Sequence, residues 1–250
     1  MKNLFVLAVA NLLAFVAYAT PGSFNEDAEI PDLKQTSDLL PDGGSIYCGP
    51  TAAANVLFWF FKQGFKGITD DCSDKKCQYN LVKLLGSSEY FDIYKKGLAD
   101  DEDMRRGLTL LLNQKSFKVG FMEYQGWGKY STKPPSKKWL KQKLVEKNGV
   151  LLRVSWYSHD TQDDSFHRDG GHWETLVGFE NDVLLVHDPA KPTNEVSKVS
   201  FGSPLNHGTL FQKDHQPIPA KGFETIERKN VQDHETEILE GVFAFKPERK

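Results

Sequence analysis

Tyr47-Cys48-Gly49-Pro50-Thr51-Ala52-Ala53-Ala54-Asn55-Val56-Leu57-Phe58-Trp59-Phe60-Phe61 is the stretch from which the fold can be read. From 49 to 61 it is rich in Ala and large apolar residues over several turns, which suits a buried helix. Proline is tolerated in the first turn, where an N–H has no intrahelical partner to lose. Cys48 then stands at the helix N-terminus, where the partial positive charge favours thiolate over thiol and free amides can face an oxyanion. Gly49 leaves room for a substrate to approach. The competing reading is a buried structural cysteine, the commonest fate of a free one.

Outward from this helix the chain divides in character. Residues 78–85 form a second helix ended by Gly86, and 100–113 open with acids and carry Met104, Leu108, Leu111 and Leu112 at helical spacing. Ser136 is an N-cap candidate for a helix over 137–147, closed by Asn148-Gly149. Beyond Gly149, residues 150–156, 173–179, 183–187, 196–201 and 239–245 are short runs of Val, Leu and aromatics between turn residues, and read as strands. Glu180-Asn181-Asp182 makes a hairpin turn between two of them. The polar segment 158–171 reads as a surface loop, and Gln125-Gly126-Trp127-Gly128 as a turn. Helices first and strands later indicate an α+β fold.

The 250 residues suit one domain, in two lobes at most, and 31 Lys and Arg nearly balance 34 Asp and Glu. Nothing in that balance calls for nucleic acid or an anionic membrane. Residues 1–19 have the form of a signal peptide: Lys2, an apolar stretch from Leu4 to Val16, then Ala17-Tyr18-Ala19. The stretch is too short for a membrane span, so the expectation is a secreted or periplasmic protein with no membrane association after its removal; a buried N-terminal helix is the alternative. Residues 20–43, with prolines, glycines and acids, form an irregular lead-in and a candidate propeptide.

Three cysteines in an exported chain leave one thiol over. Cys72 and Cys77 lie in a short polar stretch that can close a disulfide loop. A metal is the rival there, but neither His nor further Cys lies nearby to complete a shell. The chain calls for no cofactor. Asp160, Asp163 and Asp164 lack the completion of a calcium loop and read as solvated. That leaves Cys48 as the lone thiol.

A thiol nucleophile needs a base, and His172 in Asp169-Gly170-Gly171-His172-Trp173-Glu174 follows two glycines at the start of a strand. The next strand ends His187-Asp188-Pro189. Antiparallel neighbours joined by a tight turn bring the start of one beside the end of the other, so Asp188 lands next to His172 and can hold its tautomer. Taken singly, His172 reads as one surface histidine among seven and Asp188 as a turn starter before proline.

Tyr-Cys-Gly-Pro-Thr-Ala-Ala opening an apolar helix, Gly-Gly-His-Trp before a Val-rich strand, and a strand ending His-Asp-Pro together resemble the C39-like branch of the papain-like cysteine peptidases, over roughly residues 45–190. The resemblance implies a catalytic domain over 44–250, with a helical lobe (44–149) bearing Cys48 packed on an antiparallel sheet lobe (150–246) bearing His172 and Asp188. It implies thiolate attack on a peptide or amide carbonyl, an acyl-enzyme, and a peptide or protein as substrate. Papain-like enzymes usually place an oxyanion-stabilising Gln shortly before the nucleophile; this chain has Asp42 there, and Gln35 is the candidate donor, reached through a longer loop. A transpeptidase, deamidase or peptidoglycan-bond hydrolase would use the same three residues. A papain-like binding protein without turnover would keep the fold and dispense with the donor. A redox protein using Cys72 and Cys77 would be expected to space them as C-x-x-C.

Overall fold

A computed structural model describes residues 21–97, 99–129, 131–191, 195–213, 215–228 and 236–250. Residues 1–19, expected to be a signal peptide, lie outside them. The helices come early: α1 (Cys48–Lys62), α2 (Lys75–Gly86), α3 (Ile93–Lys96), α4 (Asp101–Gln114) and α5 (Lys137–Val145). Three of them begin where a side chain satisfies an N-terminal amide. Asp74 accepts from Cys77 N, Asp100 and Asp103 form a reciprocal capping box, and Ser136 accepts from Trp139 N.

The strands are β1 (Ser23–Asn25), β2 (Phe117–Gly126), β3 (Gly149–Asp160), β4 (Ser165–Glu180), β5 (Val183–His187), β6 (Ser197–Pro204), β7 (Thr209–Phe211), β8 (Ile218–Pro219), β9 (Glu224–Glu227) and β10 (Thr236–Arg249). They join one sheet whose pairings close on themselves: β3 pairs with both β4 and β10, and the path β4–β5–β6–β9 leads back to β10. Alternation along β3 builds two cores. Val150, Leu152 and Val154 pack with Leu140 and Leu144 of α5, while Leu151 packs with Trp173, Val177 and the helices. Val56, Leu57, Trp59 and Phe60 of α1 are fully or almost fully buried against that second face, each such side chain being worth about 1.5–3 kcal/mol of transfer free energy.

The α+β class holds, with three differences of detail. The sheet is mixed, because β4 pairs with β7 in parallel. The helical half, expected over 44–149, contains β2, which pairs along β10 and so belongs to the sheet. The expected loop over 158–171 is instead a continuation of β3 and β4, paired from Tyr157↔Arg168 out to Asp160↔Ser165. Strand propensity was weak there, and the backbone ladder carries the hairpin past its apolar part.

Residues 21–43 are largely irregular, yet they are sewn into the domain. β1 pairs with β4, Ile30, Leu33 and Leu40 are buried, Leu33 N donates to Asn55 Oδ1 of α1 at 3.0 Å, and Gln35 N donates to Pro189 O at 2.8 Å. Cys72 and Cys77 form a disulfide ahead of and within the first turn of α2. Among the described residues no helix is long and apolar enough to cross a membrane.

Candidate active site

Cys48 is the first residue of α1, preceded by Tyr47, whose carbonyl accepts from Thr51 N. The helix is held on the sheet near His172 by Thr175, whose hydroxyl donates to Ala52 O at 3.2 Å and lies 3.5 Å from Asn55 Nδ2. Gly49 makes the close approach possible. A Cβ there would stand 3.3 Å from Trp173 Cδ1 and 3.4 Å from Ala99 Cβ. Trp173 is itself pinned by donating its indole N–H to Ala99 O at 2.8 Å.

His172 enters from β4 opposite Val154 of β3. The β4–β5 hairpin turns at Asn181, which takes the left-handed φ of 52° that Asn tolerates. Asp188 follows the last residue of β5, and its Oδ1 lies 2.7 Å from His172 Nε2. Cys48 adjoins the ring closely enough to act on its charge. The structure thus brings Cys48, His172 and Asp188 together. All three are nearly enclosed, at 3%, 8% and 8% exposure.

The electrostatics of the trio oppose burial and overcome it. Burial pulls the His172 pKa down, but the hydrogen bonds to Asp188 and Cys48, with the charges of Cys48 and Glu174, push it up to about 10. Burial raises the Asp188 carboxyl, while the His172 hydrogen bond and charge, the amide of Ala190 and Arg228 bring it down to about 2. Within the His172–Asp188 pair the proton therefore rests on the imidazole. Trp156 lies beside the ring, with centroids 6.4 Å apart.

Gln35 reaches the same neighbourhood from the N-terminal segment. Its amide Nε2 donates to Ser45 O at 3.1 Å, just ahead of Cys48, and its Oε1 is buried without a hydrogen-bond partner. Asp42, the position where papain-like chains would carry the Gln, lies in a turn with φ 51°. Lys34 adds a second tie, its ammonium donating to Asp188 O at 3.3 Å.

Glu174, Glu237 and Arg228 escaped the sequence reading. Glu174 carried a faint signal, since it is two residues from His172 on a strand and so shares its face. Arg228 forks onto Glu174, at 2.7 Å to Oε1 and 2.8 Å to Oε2, and its Nε is 2.7 Å from Glu237 Oε1. His172, Glu174 and Asp188 place donor atoms within 4.8 Å of one another, as a metal site would. The guanidinium already occupies the cationic position of that cluster, so the donor set fits an internal ion pair better than a metal.

A cleft of about 870 Å³ is walled by Ala99, Asp101, Trp127, Arg153, Arg168 and His215 among others, and borders the site through Ala99 and Arg168 rather than through Cys48, His172 or Asp188 themselves. Ala99 is the residue against which Gly49 packs, and the Arg168 guanidinium lies over Gly171, next to His172. Two wall residues are buried with an unpartnered polar atom, Asp101 Oδ2 and Arg153 Nε. Cys72 and Cys77 are remote in role, holding only the start of α2. No protein-family model matches this chain, and no curated protein matches it either.

Proposed function

We propose that this chain is a papain-like, thiol-dependent hydrolase of peptide or amide bonds, related to the C39-like peptidases and working outside the reducing cytosol. The observation that carries the reading is the meeting of His172 Nε2 with Asp188 Oδ1 at 2.7 Å beside Cys48, the first residue of a buried helix. The Cys48 thiolate attacks the carbonyl carbon, forming the C–S bond while the carbonyl π electrons move to oxygen. Backbone amides at the start of α1, together with the Gln35 amide that donates to Ser45 O, are the donors this reading assigns to that oxyanion. His172 gives its proton to the leaving amine as the C–N bond breaks, then takes one from the water that attacks the acyl carbon; the C–S bond breaks, the acid leaves, and the Cys48 thiolate and His172 imidazolium return. Asp188 holds the ring and its charge throughout. The substrate of this reading is a peptide or protein segment that approaches from the cleft walled by Ala99 and Arg168. The cycle asks for no cofactor. The disulfide supports an exported, secreted or periplasmic protein.

The near-complete burial of Cys48 favours a second reading, a papain-like binding protein without turnover. One measurement separates the two: the rate of Cys48 alkylation by iodoacetamide against pH, in wild type and His172→Ala, read by intact mass. Fast labelling below pH 7 that slows on loss of His172 is the expected result. Slow labelling that rises only above pH 8 and is unchanged in the variant would favour the binding protein.

A further inference from the structure

Beneath the His172–Asp188 pair lies a second layer of charge. Arg228 follows β9, and its side chain is mostly buried. Its fork is saturated by Glu174 of β4, its Nε by Glu237 of β10, and its Nη1 is 3.9 Å from Asp188 Oδ2. Three carboxylates from three separate strand regions thus share one guanidinium, with the His172 imidazole as the other cation within the group. Counted without Cys48, which also acts on His172, the cluster with every group ionised would carry one excess negative charge. With one carboxyl protonated it balances.

We propose that Arg228 is a positioning residue of the proposed catalytic pair, holding Asp188 ionised and oriented against His172, and that Glu237 adjusts this hold with pH. The catalytic consequence rests on the thiol-hydrolase reading; the coupling of Arg228 and Glu237 to His172 does not. A guanidinium suits the role because its planar fork fixes Glu174 through two bonds and still turns an edge toward Asp188. Glu237 is the carboxyl that takes up the excess charge. Burial raises it and the nearby Glu174 and Asp188 add to that, against the opposing pull of Arg228, so that it ionises near pH 7. Below that pH, Arg228 answers to Glu174 and Asp188 alone. Above it, Glu237 draws on the same cation, and the field at His172 becomes more negative.

The test uses the full described chain with the lead-in intact. It compares wild type, Arg228→Gln, Arg228→Lys and Glu237→Gln by two readouts: the pH profile of Cys48 alkylation by iodoacetamide, and the NMR titration of the His172 ring, assigned by its loss in His172→Ala. Arg228→Gln should move the acid limb of alkylation upward by about 1–3 pH units, the range over which one close charge partner shifts a carboxyl. It should also make His172 hold its proton to higher pH, with Arg228→Lys recovering part of both shifts. Glu237→Gln keeps a side chain of the same shape. Its profiles should overlay wild type below about pH 6 and depart above pH 8, with His172 titrating lower, because only there does wild type carry the extra charge. Profiles of Arg228→Gln and Glu237→Gln that overlay wild type at every pH would overturn the proposal and leave Arg228 a structural clamp. Should Arg228→Gln fail to fold, Glu237→Gln decides alone. An unactivated wild-type thiol would defeat the hydrolase reading instead, while the ring titration would still report the coupling.

Discussion

At His172, burial disfavours the charged ring, and the contacts with Asp188 and Cys48 restore it. The consequence for stability has a definite sign on each side. His172 is raised from 6.5 to about 10, so its contribution is fully present below pH 6.5 and is lost as pH rises towards 10. Asp188 is lowered from 3.8 to about 2, so its contribution is present above pH 3.8 and is lost as pH falls towards 2. Thermal melts across pH should fall on both flanks, and Asp188→Asn should flatten each of them. A variant whose flanks match wild type would show that the pair does not couple folding to protons. In turnover, Asp188→Ala should cost less than Cys48→Ala or His172→Ala, because Asp188 orients and does not carry the proton. Equal losses in a peptide-hydrolysis assay would mark Asp188 as structural.

At the scale of the element, the placing of Cys48 depends on how closely α1 sits on the sheet. A Cβ at Gly149, the first residue of β3, would stand 2.0 Å from Val56 Cγ1 of α1. Gly149→Ala should therefore push the helix outward and cost about 1–3 kcal/mol, as overpacking of a filled core does. Urea unfolding measures it, and a change under 0.5 kcal/mol would mean the contact is compliant, as at ordinary surface sites. The helices were legible because Asp100 and Ser136 announce their starts within a few residues. β2 was not. Phe117, Val119 and Phe121 alternate with Lys118 and Gly120, but Met122 and Tyr124 then take the opposite parity around Glu123, and the strand is stabilised by pairing with β10, which lies over a hundred residues away in the chain. The outer part of the β3–β4 hairpin was missed for the same reason: its polar residues pair through backbone, which composition does not reveal.

For the molecule as a whole, the decisive feature is that the sheet closes, β9 meeting β10 at Ile238↔Thr225, so that distant segments converge on one place. The lead-in takes part in that convergence. A chain beginning at Ser45 would lose Ile30, Leu33 and Leu40 from the core, together with the Gln35–Pro189 bond beside Asp188. Such a truncation should unfold at lower temperature and label Cys48 more slowly at pH 6 than the full chain. A truncated chain that is equally stable and labels faster would show that residues 20–43 are a removable propeptide.

Local sequence settled what depends on neighbours in the chain: the caps of α2, α4 and α5 would need only a turn, the Cys72–Cys77 loop only five residues, and the meeting of His172 with Asp188 only one hairpin. These are short loops, closed at small entropic cost by residues whose preferences are visible in their own letters. Tertiary structure alone decided that the Cys48 thiol faces that hairpin, that Gln35 lies just ahead of it, and that Arg228 and Glu237 lie beneath. The first and last of those contacts join segments far apart in the chain, and the placing of Gln35 depends on its tie to Pro189, also far away. They hold because the closed sheet and its two cores leave those side chains one place to go, and pattern within a window carries no trace of that.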